Sequence, residues 1–489
     1  MKLQQLLANC LVKNDISLLK TVTITSITQY IEEVTTGSLF ICIANSYYDG
    51  HEFIQKALRQ GATAIVVDRL PQRPGPFILV TNTERALAQI ASEYYGHPSR
   101  EMRFIGVTGT NGKTTITILI DHILTYAGYH NGLIGTLYNR IDQQFLPAPN
   151  TTPHTVELQH LLWQMAAAGV TDCVMEVSSH GLKQDRVLGI DFQVAVFSNF
   201  SQDHLDFHTD MEDYYRSKTR LFSRLGNRFG STPKMAVINI DDPVSSDLIA
   251  MTPTDILTYG CQGKGDLQAL EISTSATGTS YTISLFDKHY LVNTPLIGDF
   301  NVYNALAAFG AAYAIGIAPE QIIQALTTIN GVPGRFEIAA TKNGITGIVD
   351  FAHTPDGLLT VLQTARNLTQ HNLFCVMGCS GNRDISKRPI MAQIAVDHAD
   401  HVFFTTNNPR KEEPQQIIRH MIDGLKATNY SLQENREKAI EDAFSLTQPG
   451  DIVLVAGMGP KSFYHQTLNL MVTDREVIQA ITQTKTLSN

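Results

Sequence analysis

The stretch 106–115, GVTGTNGKTT, holds the first residues whose types and spacing suggest chemistry. Glycines in a turn let backbone N–H groups converge on phosphate oxygens, a lysine adds a mobile cation, and a threonine hydroxyl can ligate Mg²⁺. The strict spacing G-x-x-x-x-G-K-[ST] is not met, because Val107 stands five before Gly112. Instead Gly106, Gly109 and Gly112 recur every third residue. RFIGV before the loop reads as a buried strand, and KTTITILIDHILTYAG after it as an amphipathic helix ending at Gly128. An unliganded glycine turn has no need of Lys-Thr-Thr at the mouth of that helix, so an ATP or GTP site is expected.

Phosphoryl transfer calls for a metal that bridges and neutralises phosphate oxygens. Glu176 ends the apolar run DCVMEV (172–177), where open α/β sheets place their ligands. His204 follows another strand-like run, in NFSQDHLDFH (199–208). A carboxylate and an imidazole at strand ends can share a metal near the loop. Asp203, Asp206 and His208 read as surface loop residues. NTTP (150–153) is equally a helix cap or a ligand loop.

The elements that must carry these residues form three α/β series. SLFICIA (38–44) and ATAIVVD (62–68), with HEFIQKALRQG between, suggest a small α/β unit that GHPSR (96–100) links to the next. From Arg103 onward, strands at 172–177, QVAVFS (193–198) and MAVINI (235–240) alternate with helical runs such as TVELQHLLWQMAAAG. That alternation predicts a mostly parallel sheet wrapped by helices. GVPGRFE (331–337) marks a second junction, followed by NLFCVMG (372–378), HVFFTT (401–406) and DIVLVAG (451–457). A chain of 489 residues exceeds one compact core, and about three domains are expected.

Composition excludes several classes. A net charge of −9 without a Lys/Arg run argues against a nucleic-acid partner. Cysteines at 10, 42, 173, 261, 375 and 379 form no C-x-x-C pair, so a zinc site or disulfide framework is not expected. The start MKLQQLLANC has too short an apolar run for a signal ending at Cys10, and no run has the length of a membrane span. A cytoplasmic protein without membrane insertion is expected.

Taken together, GVTGTNGKTT, NTTP, MEVSSHGLKQDRV, DHLDFH, YYRSKTRLF, LIGDFNVYN, GVPGRFE, DFAHTPDG, GCSGNRD and NNPRKEEP, in that order from about residue 100 to the C-terminus, resemble the Mur ligase superfamily, and within it the MurE branch of tripeptide synthetases. The G-x-x-G-x-x-G-K-T spacing is this family's form of the loop. The resemblance implies a UDP-sugar-binding N-terminal α/β domain (1–100), a central P-loop ATPase-like parallel-sheet domain (101–332) and a C-terminal Rossmann-like domain that binds the amino acid (333–489). It implies a monomer, with closure of the domains hinged at GVPGR. The implied reaction uses ATP and Mg²⁺ to phosphorylate the terminal carboxylate of UDP-MurNAc-L-Ala-D-Glu. The amine of a free diamino acid then attacks the acyl phosphate.

Roles carry over by position. Gly109, Thr110, Asn111, Gly112, Lys113, Thr114 and Thr115 would cradle ATP, with Asn301 at the adenine, Asp350 at the ribose, and Arg335 and His353 at the phosphates. Thr114, Glu176, His204 and Lys218 would hold magnesium. Lys218 reads on its own as a solvated helix residue, but matches the lysine that this family carbamylates, which turns a cation into an anionic ligand. Lys113, Lys218, Glu176 and His204 would be catalytic. Asn150, Thr151, Thr152, Ser178, Gln184 and Arg186 would hold the nucleotide-peptide. Arg383, Asn407, Asn408, Pro409, Arg410, Gly457 and Lys461 would form the amino-acid site, where Arg383 and Arg410 match arginines that grip the distal carboxylate of meso-diaminopimelate.

The chain departs from the family in two places. Tyr30, Ile31 and Glu32 stand where Asp-Ser-Arg contacts UDP, with Ser26 out of register, although Asp49-Gly50 survives. Asn407 replaces an Asp and Lys461 a Glu of the acceptor site; those two acids ordinarily hold an ammonium group, which Lys461 would repel. Meso-diaminopimelate is the favoured acceptor. The alternatives are a sister ligase adding L-lysine or another amino acid, and a non-catalytic nucleotide-binding paralogue.

Overall fold

The computed structural model describes residues 1–45, 48–226, 233–465 and 470–484. Three main sheets carry the chain. The first has four parallel strands in the order Ser26–Thr28, Ser38–Ile41, Ala64–Val67 and Phe77–Leu79. Helix Thr83–Tyr94 covers one face with Ala86, Leu87, Ile90 and Ala91, and Asn82 caps its start through the Arg85 N–H. The segment read as a helix between the first two apolar runs is a 3₁₀ turn, Gly50–Phe53, leading into Ile54–Arg59.

The second sheet has eleven strands. Parallel strands lie in the order Asn131–Ile134, Asp172–Glu176, Arg103–Thr108, Phe192–Phe197, Met235–Asn239, Asp255–Gly260 and Leu267–Ser275. The expected parallel centre is there, but antiparallel strands extend both edges. They are Asn139–Ile141 and Gln144–Leu146 on one side, and Gly278–Leu285 and Lys288–Thr294 on the other. The meander over 267–294 alternates buried and exposed positions instead of running continuously apolar, so a scan for buried runs passes over it. Helices Lys113–Tyr126 and Asp299–Ala314 pack on this sheet, the second through Ala305, Ala307, Ala308, Ala311 and Ala312.

The third sheet runs Glu337–Lys342, Ile345–Asp350, Ile452–Ala456, Leu373–Met377, His401–Phe404 and Tyr430–Leu432, parallel apart from its first edge strand. Between the second and third sheets GVPGRFE makes a tight corner. Val332 and Arg335 form a bridge, the Gly334 N–H donates to Glu337 Oε2 and the Phe351 N–H to Gly334 O. All six cysteines are free thiols. Among the described residues no helix is long and apolar enough to cross a membrane.

Candidate active site

Strand Arg103–Thr108 lies between Asp172–Glu176 and Phe192–Phe197, so the glycine loop emerges flanked by the carboxyl ends of both neighbours. This is the place in an open α/β sheet where ligands bind. Gly109 adopts φ +143 and Gly112 φ +86. A Cβ on Gly109 would stand 1.9 Å from Ser198 Oγ, and one on Gly112 would stand 2.5 Å from Asn304 Oδ1. Both positions need glycine for conformation and for space. Gly106 does not belong to the turn. It is inside the strand, and its missing Cβ makes room for the Phe192 ring.

The loop is tied to the neighbouring strand end. Ser198 Oγ donates to Asn111 O at 2.6 Å, the Asn111 N–H to Asn199 Oδ1 at 2.9 Å and the Thr110 N–H to Asn199 O at 2.8 Å. Ser198 and Asn199 were not singled out from sequence, though their position directly after a buried strand was a usable signal. Lys113 Nζ folds back onto Gly109 O and Thr110 O at 2.9 and 2.8 Å. Burial lowers its pKa, against the pull of Glu176 and Asp203.

Glu176 is buried. Its Oε2 accepts from Thr114 Oγ1 and Thr136 Oγ1, both at 3.0 Å, and its Oε1 from the Thr136 N–H at 2.7 Å. Lys218 is buried as well, contrary to the plain reading of a solvated helix lysine. Its Nζ donates to Gly109 O at 2.6 Å and lies 4.4 Å from the centroid of the Tyr214 ring. Burial, then the neighbouring Lys113 charge, pushes its pKa far below that of an ordinary lysine. His204 adopts φ +58, with Nε2 3.3 Å from Asp203 Oδ2. Its Nδ1 is buried without a hydrogen-bond partner, and burial drives its pKa well below 6.5.

Among the described residues no group of three or more His, Cys, Asp or Glu side chains is arranged for a metal. The expected set has only two such members, with a threonine hydroxyl and a lysine completing it. The set nevertheless fits Mg²⁺ in its donors. His204, whose Nδ1 has no hydrogen-bond partner, and Glu176 both line the same cavity, and a deprotonated lysine amine is the species that takes up CO₂ to give an oxygen ligand.

The third sheet closes over this centre. Arg335 is half-buried; its Nη2 donates to Thr114 Oγ1 at 2.9 Å, its Nε has no partner, and its guanidinium lies 4.5 Å from the Phe351 ring centroid. Asp350 Oδ2 accepts from the Phe336 N–H at 2.7 Å and its Oδ1 from the Ala352 N–H at 2.6 Å, while burial raises its pKa. His353 Nδ1 is 3.0 Å from Phe351 O, and its Nε2 is 3.6 Å from Asp203 Oδ2. Asn111 Nδ2 donates to Asp356 Oδ2 at 3.0 Å across the same seam. Asp203 and Lys387, neither of them predicted, form a buried ion pair of 3.1 Å. The neighbouring His204, His353 and Lys387 hold the Asp203 carboxyl well below the usual range against its burial. Asp206 likewise meets Arg383 at 3.2 Å. The surface reading is therefore corrected for Asp203 and for His208, which is buried with Nε2 2.9 Å from Ser179 Oγ, whereas Asp206 is an exposed loop residue that reaches the opposite sheet.

A cavity of about 660 Å³ spans the seam. Thr110 to Thr115, Glu176, Ser178, His204 and Lys218 line it from one side, and Arg335, Asp350, His353, Arg383 and Lys461 from the other. Asn301 does not line it. Its amide donates to Ile297 O at 2.9 Å and accepts from Asn304 at 3.0 Å, and Asn304, with Phe300 and Tyr303, forms that wall. The turn at Gly298 directs Asn301 back into the start of its own helix.

In NTTP the choice between a cap and a loop is decided by hydrogen bonds. Thr152 Oγ1 donates to Glu176 O at 2.9 Å and accepts from the Ser178 N–H at 3.0 Å, while helix Thr155–Ala167 starts at His154 without a side-chain cap. Arg186 Nη1 donates to Thr152 O at 2.8 Å and its Nε to Gln184 Oε1 at 3.0 Å, so Thr152, Gln184 and Arg186 form one cluster. Thr151 lines the cavity and Asn150 is partly exposed beside it. In the first sheet's unit Tyr30 packs edge-on against His154 at 6.1 Å, and Asp49 Oδ1 caps the following turn at the His51 N–H and pairs with the His51 ring.

Around the acceptor motif, Asn407 Nδ2 donates to Gly378 O at 3.3 Å, Asn408 O accepts from the Gly381 N–H at 2.9 Å and Pro409 O from the Glu412 N–H at 2.9 Å. Arg410 is exposed at φ +53, and the Gly457 N–H donates to Asp350 O at 2.9 Å. Lys461 Nζ lies 4.8 Å from the Phe351 centroid.

Comparison with known proteins agrees with this architecture. The profile of the Mur ligase middle domain matches residues 107–312, and that of the Mur ligase, glutamate ligase domain matches residues 334–459. The chain is 43% identical over 442 residues to a UDP-N-acetylmuramoyl-L-alanyl-D-glutamate–2,6-diaminopimelate ligase of Lactiplantibacillus plantarum, with 90% of each chain covered. A solved structure of an enzyme of that name superposes with a TM-score of 0.70 at 29% identity, covering 99% of both chains. The MurF ligase of Thermotoga maritima, solved with ADP, shares the fold at a TM-score of 0.64 and 19% identity over 95% of this chain and 97% of that one. With its loop, its buried lysine and its two facing sheets matched along nearly the whole length, the chain belongs to the Mur ligase family.

Proposed function

We propose that this protein is an ATP-dependent ligase that joins diaminopimelate to UDP-MurNAc-L-Ala-D-Glu in peptidoglycan precursor synthesis. The observation that carries the reading is the single cavity joining the glycine loop, Glu176, His204 and Lys218 to Arg335, His353 and Arg383. Such a site can serve two transfers in succession. The terminal carboxylate of the nucleotide-peptide attacks the γ-phosphorus of ATP, the bond to the β-phosphate oxygen breaks, and ADP leaves. The acceptor amine then attacks the acyl carbon, sheds a proton to solvent, and inorganic phosphate departs with the C–O electron pair.

The residues supply charge and orientation. The loop N–H groups and Lys113 bind the phosphates, and the free Nε of Arg335 points to a hydrogen bond with the phosphoryl oxygens as charge builds up. Magnesium, held by Glu176, His204, Thr114 and a carbamylated Lys218, would neutralise phosphate oxygens. The Thr152–Gln184–Arg186 cluster supports a role in orienting the nucleotide-peptide. Diffusible substrates of this kind suit a monomer working in the cytoplasm.

The test is phosphate release from ATP with UDP-MurNAc-L-Ala-D-Glu and a panel of amino acids. Product of the added mass with diaminopimelate is expected; no acceptor-dependent release with any amino acid would sink the reading.

A further inference from the structure

Two strand ends of the third sheet lead into residues that the sequence assigns to the acceptor site. Strand Leu373–Met377 lies between Ile452–Ala456 and His401–Phe404, and Gly457 and Asn407 follow those two neighbours. The ends are tightly packed. Asn407 Nδ2 donates to Gly378 O at 3.3 Å, and a Cβ on Gly457, at φ +102, would stand 2.9 Å from that same Nδ2. Arg436 ties both ends together. It is the first residue of helix Arg436–Ser445, whose start Asn435 caps through the Lys438 N–H. Its buried guanidinium donates from Nε and Nη2 to the two oxygens of Asp474, both at 2.7 Å. Nη2 also donates to Ala456 O at 3.0 Å, and Nη1 to Thr406 O at 3.3 Å. Ala456 and Thr406 are the residues immediately before Gly457 and Asn407. Asp474, wholly buried, opens the last helix, Asp474–Thr484.

A bidentate guanidinium–carboxylate pair fixes the plane of the fork, and with it the directions of the remaining N–H groups. Here those directions end on the carbonyls of the two strand ends and set the spacing between Asn407 and Gly457. A buried ion pair contributes little stability compared with apolar side chains of the same volume, which leaves geometry as the reason for one at this place. Arg436 does not line the cavity, so it acts through its neighbours. We propose that Arg436, locked by Asp474, is a positioning residue for the acceptor amino acid: it holds two strand ends at the separation the acceptor requires and takes no part in phosphorylation of the nucleotide-peptide. The glycine loop, Glu176 and Lys218 belong to the second sheet and its helices, so the first transfer does not depend on this tie. The inference rests on the ligase reading above and on an acceptor held at Asn407 and Gly457.

The experiment follows two readouts in the full-length enzyme. One is kcat and KM of ligation with diaminopimelate. The other, without an amino acid, is hydroxamate formed when the nitrogen of hydroxylamine attacks the acyl phosphate at carbon and expels inorganic phosphate. In Arg436→Met/Asp474→Leu apolar side chains replace the buried pair, and the melting curve is expected to hold. KM for diaminopimelate should rise about tenfold or more, as misplaced binding groups imply. KM for ATP and the rate of hydroxamate formation should stay within about twofold of the wild type. Arg436→Lys keeps a charge opposite Asp474 but loses the fork, and should show the same split; where the double variant fails to fold, it decides alone. Arg475→Ala loosens the same helix by removing a 2.8 Å pair with Glu337, and should leave KM for diaminopimelate unchanged. A KM for diaminopimelate within about twofold of the wild type in the Arg436 variants overturns the proposal. So does hydroxamate formation that falls in parallel with ligation, or an equal rise of KM in Arg475→Ala. Wild-type enzyme that yields neither hydroxamate nor product overturns the ligase reading and this one with it.

Discussion

Lys113 and Lys218 donate to the same carbonyl oxygen, that of Gly109, at 2.9 and 2.6 Å. Two ammonium groups sharing one acceptor repel each other, and burial, then the Lys113 charge, pushes the Lys218 pKa far below that of an ordinary lysine. A neutral amine is the form that adds CO₂, so the pairing favours the species that the proposed carbamate of Lys218 would require.

That pairing has a sign in stability. In bicarbonate-free buffer the folded state holds Lys218 neutral while the unfolded chain protonates it, so unfolding takes up a proton. Stability contributed by this site should rise with pH from neutrality to the ordinary lysine pKa of ~10.4. Lys218→Met should lose that slope in calorimetry, melt no lower than the wild type and release no phosphate. Lys218→Ala should regain activity with a short carboxylic acid that restores the missing oxygens; failure of rescue at saturating acid counts against a carbamate.

Arg335→Lys keeps the charge but loses the planar fork that reaches Thr114 while leaving Nε for a phosphoryl oxygen. A kcat fall of roughly 10²–10³ is expected, with a smaller change in KM for ATP, because the contact strengthens as charge develops. A raised KM for ATP with kcat unchanged would assign Arg335 to ground-state binding.

Asp203→Asn leaves the Lys387 cation buried without its partner across the seam, a loss of about 3–5 kcal/mol for a buried pair. The pKa of Asp203 is lowered in the fold, so its contribution is present above the ordinary carboxylate pKa of ~3.9 and disappears as pH falls below it. The variant should open the two sheets at neutral pH, read as an increased radius of gyration and faster proteolysis at GVPGR. Compact scattering in the variant would show that the pair does not hold the closed form.

Gly109→Ala places a methyl 1.9 Å from Ser198 Oγ at a φ that suits only glycine. Nucleotide binding by calorimetry should vanish, while the melting temperature falls by only the few degrees that about 1–3 kcal/mol of local strain implies.

Much of the site was legible because strand ends carry it. The loop, Glu176 and His204 each follow a buried apolar run, and apolar runs are visible in one dimension. The antiparallel edges over 139–146 and 267–294 were not, since their alternating or short patterns carry no such signal. Asp203 and Asp206 resembled ordinary loop acids because their partners, Lys387 and Arg383, lie 184 and 177 residues away. Asn301 and Asn304 share one helix, and only the turn at Gly298 tells which amide meets the cavity.

By itself, then, the sequence determined the order of three α/β series and the chemistry of their strand ends, because local spacing of glycine, lysine and apolar residues depends on neighbours in the chain. Only the tertiary structure decided that Lys113 and Lys218 share one carbonyl, that Arg335 leans on Thr114 across a seam, and that Arg335 and Lys461 meet over the Phe351 ring. Protonation and charge balance depend on burial and on groups distant in sequence, and neither exists until the sheets close on each other.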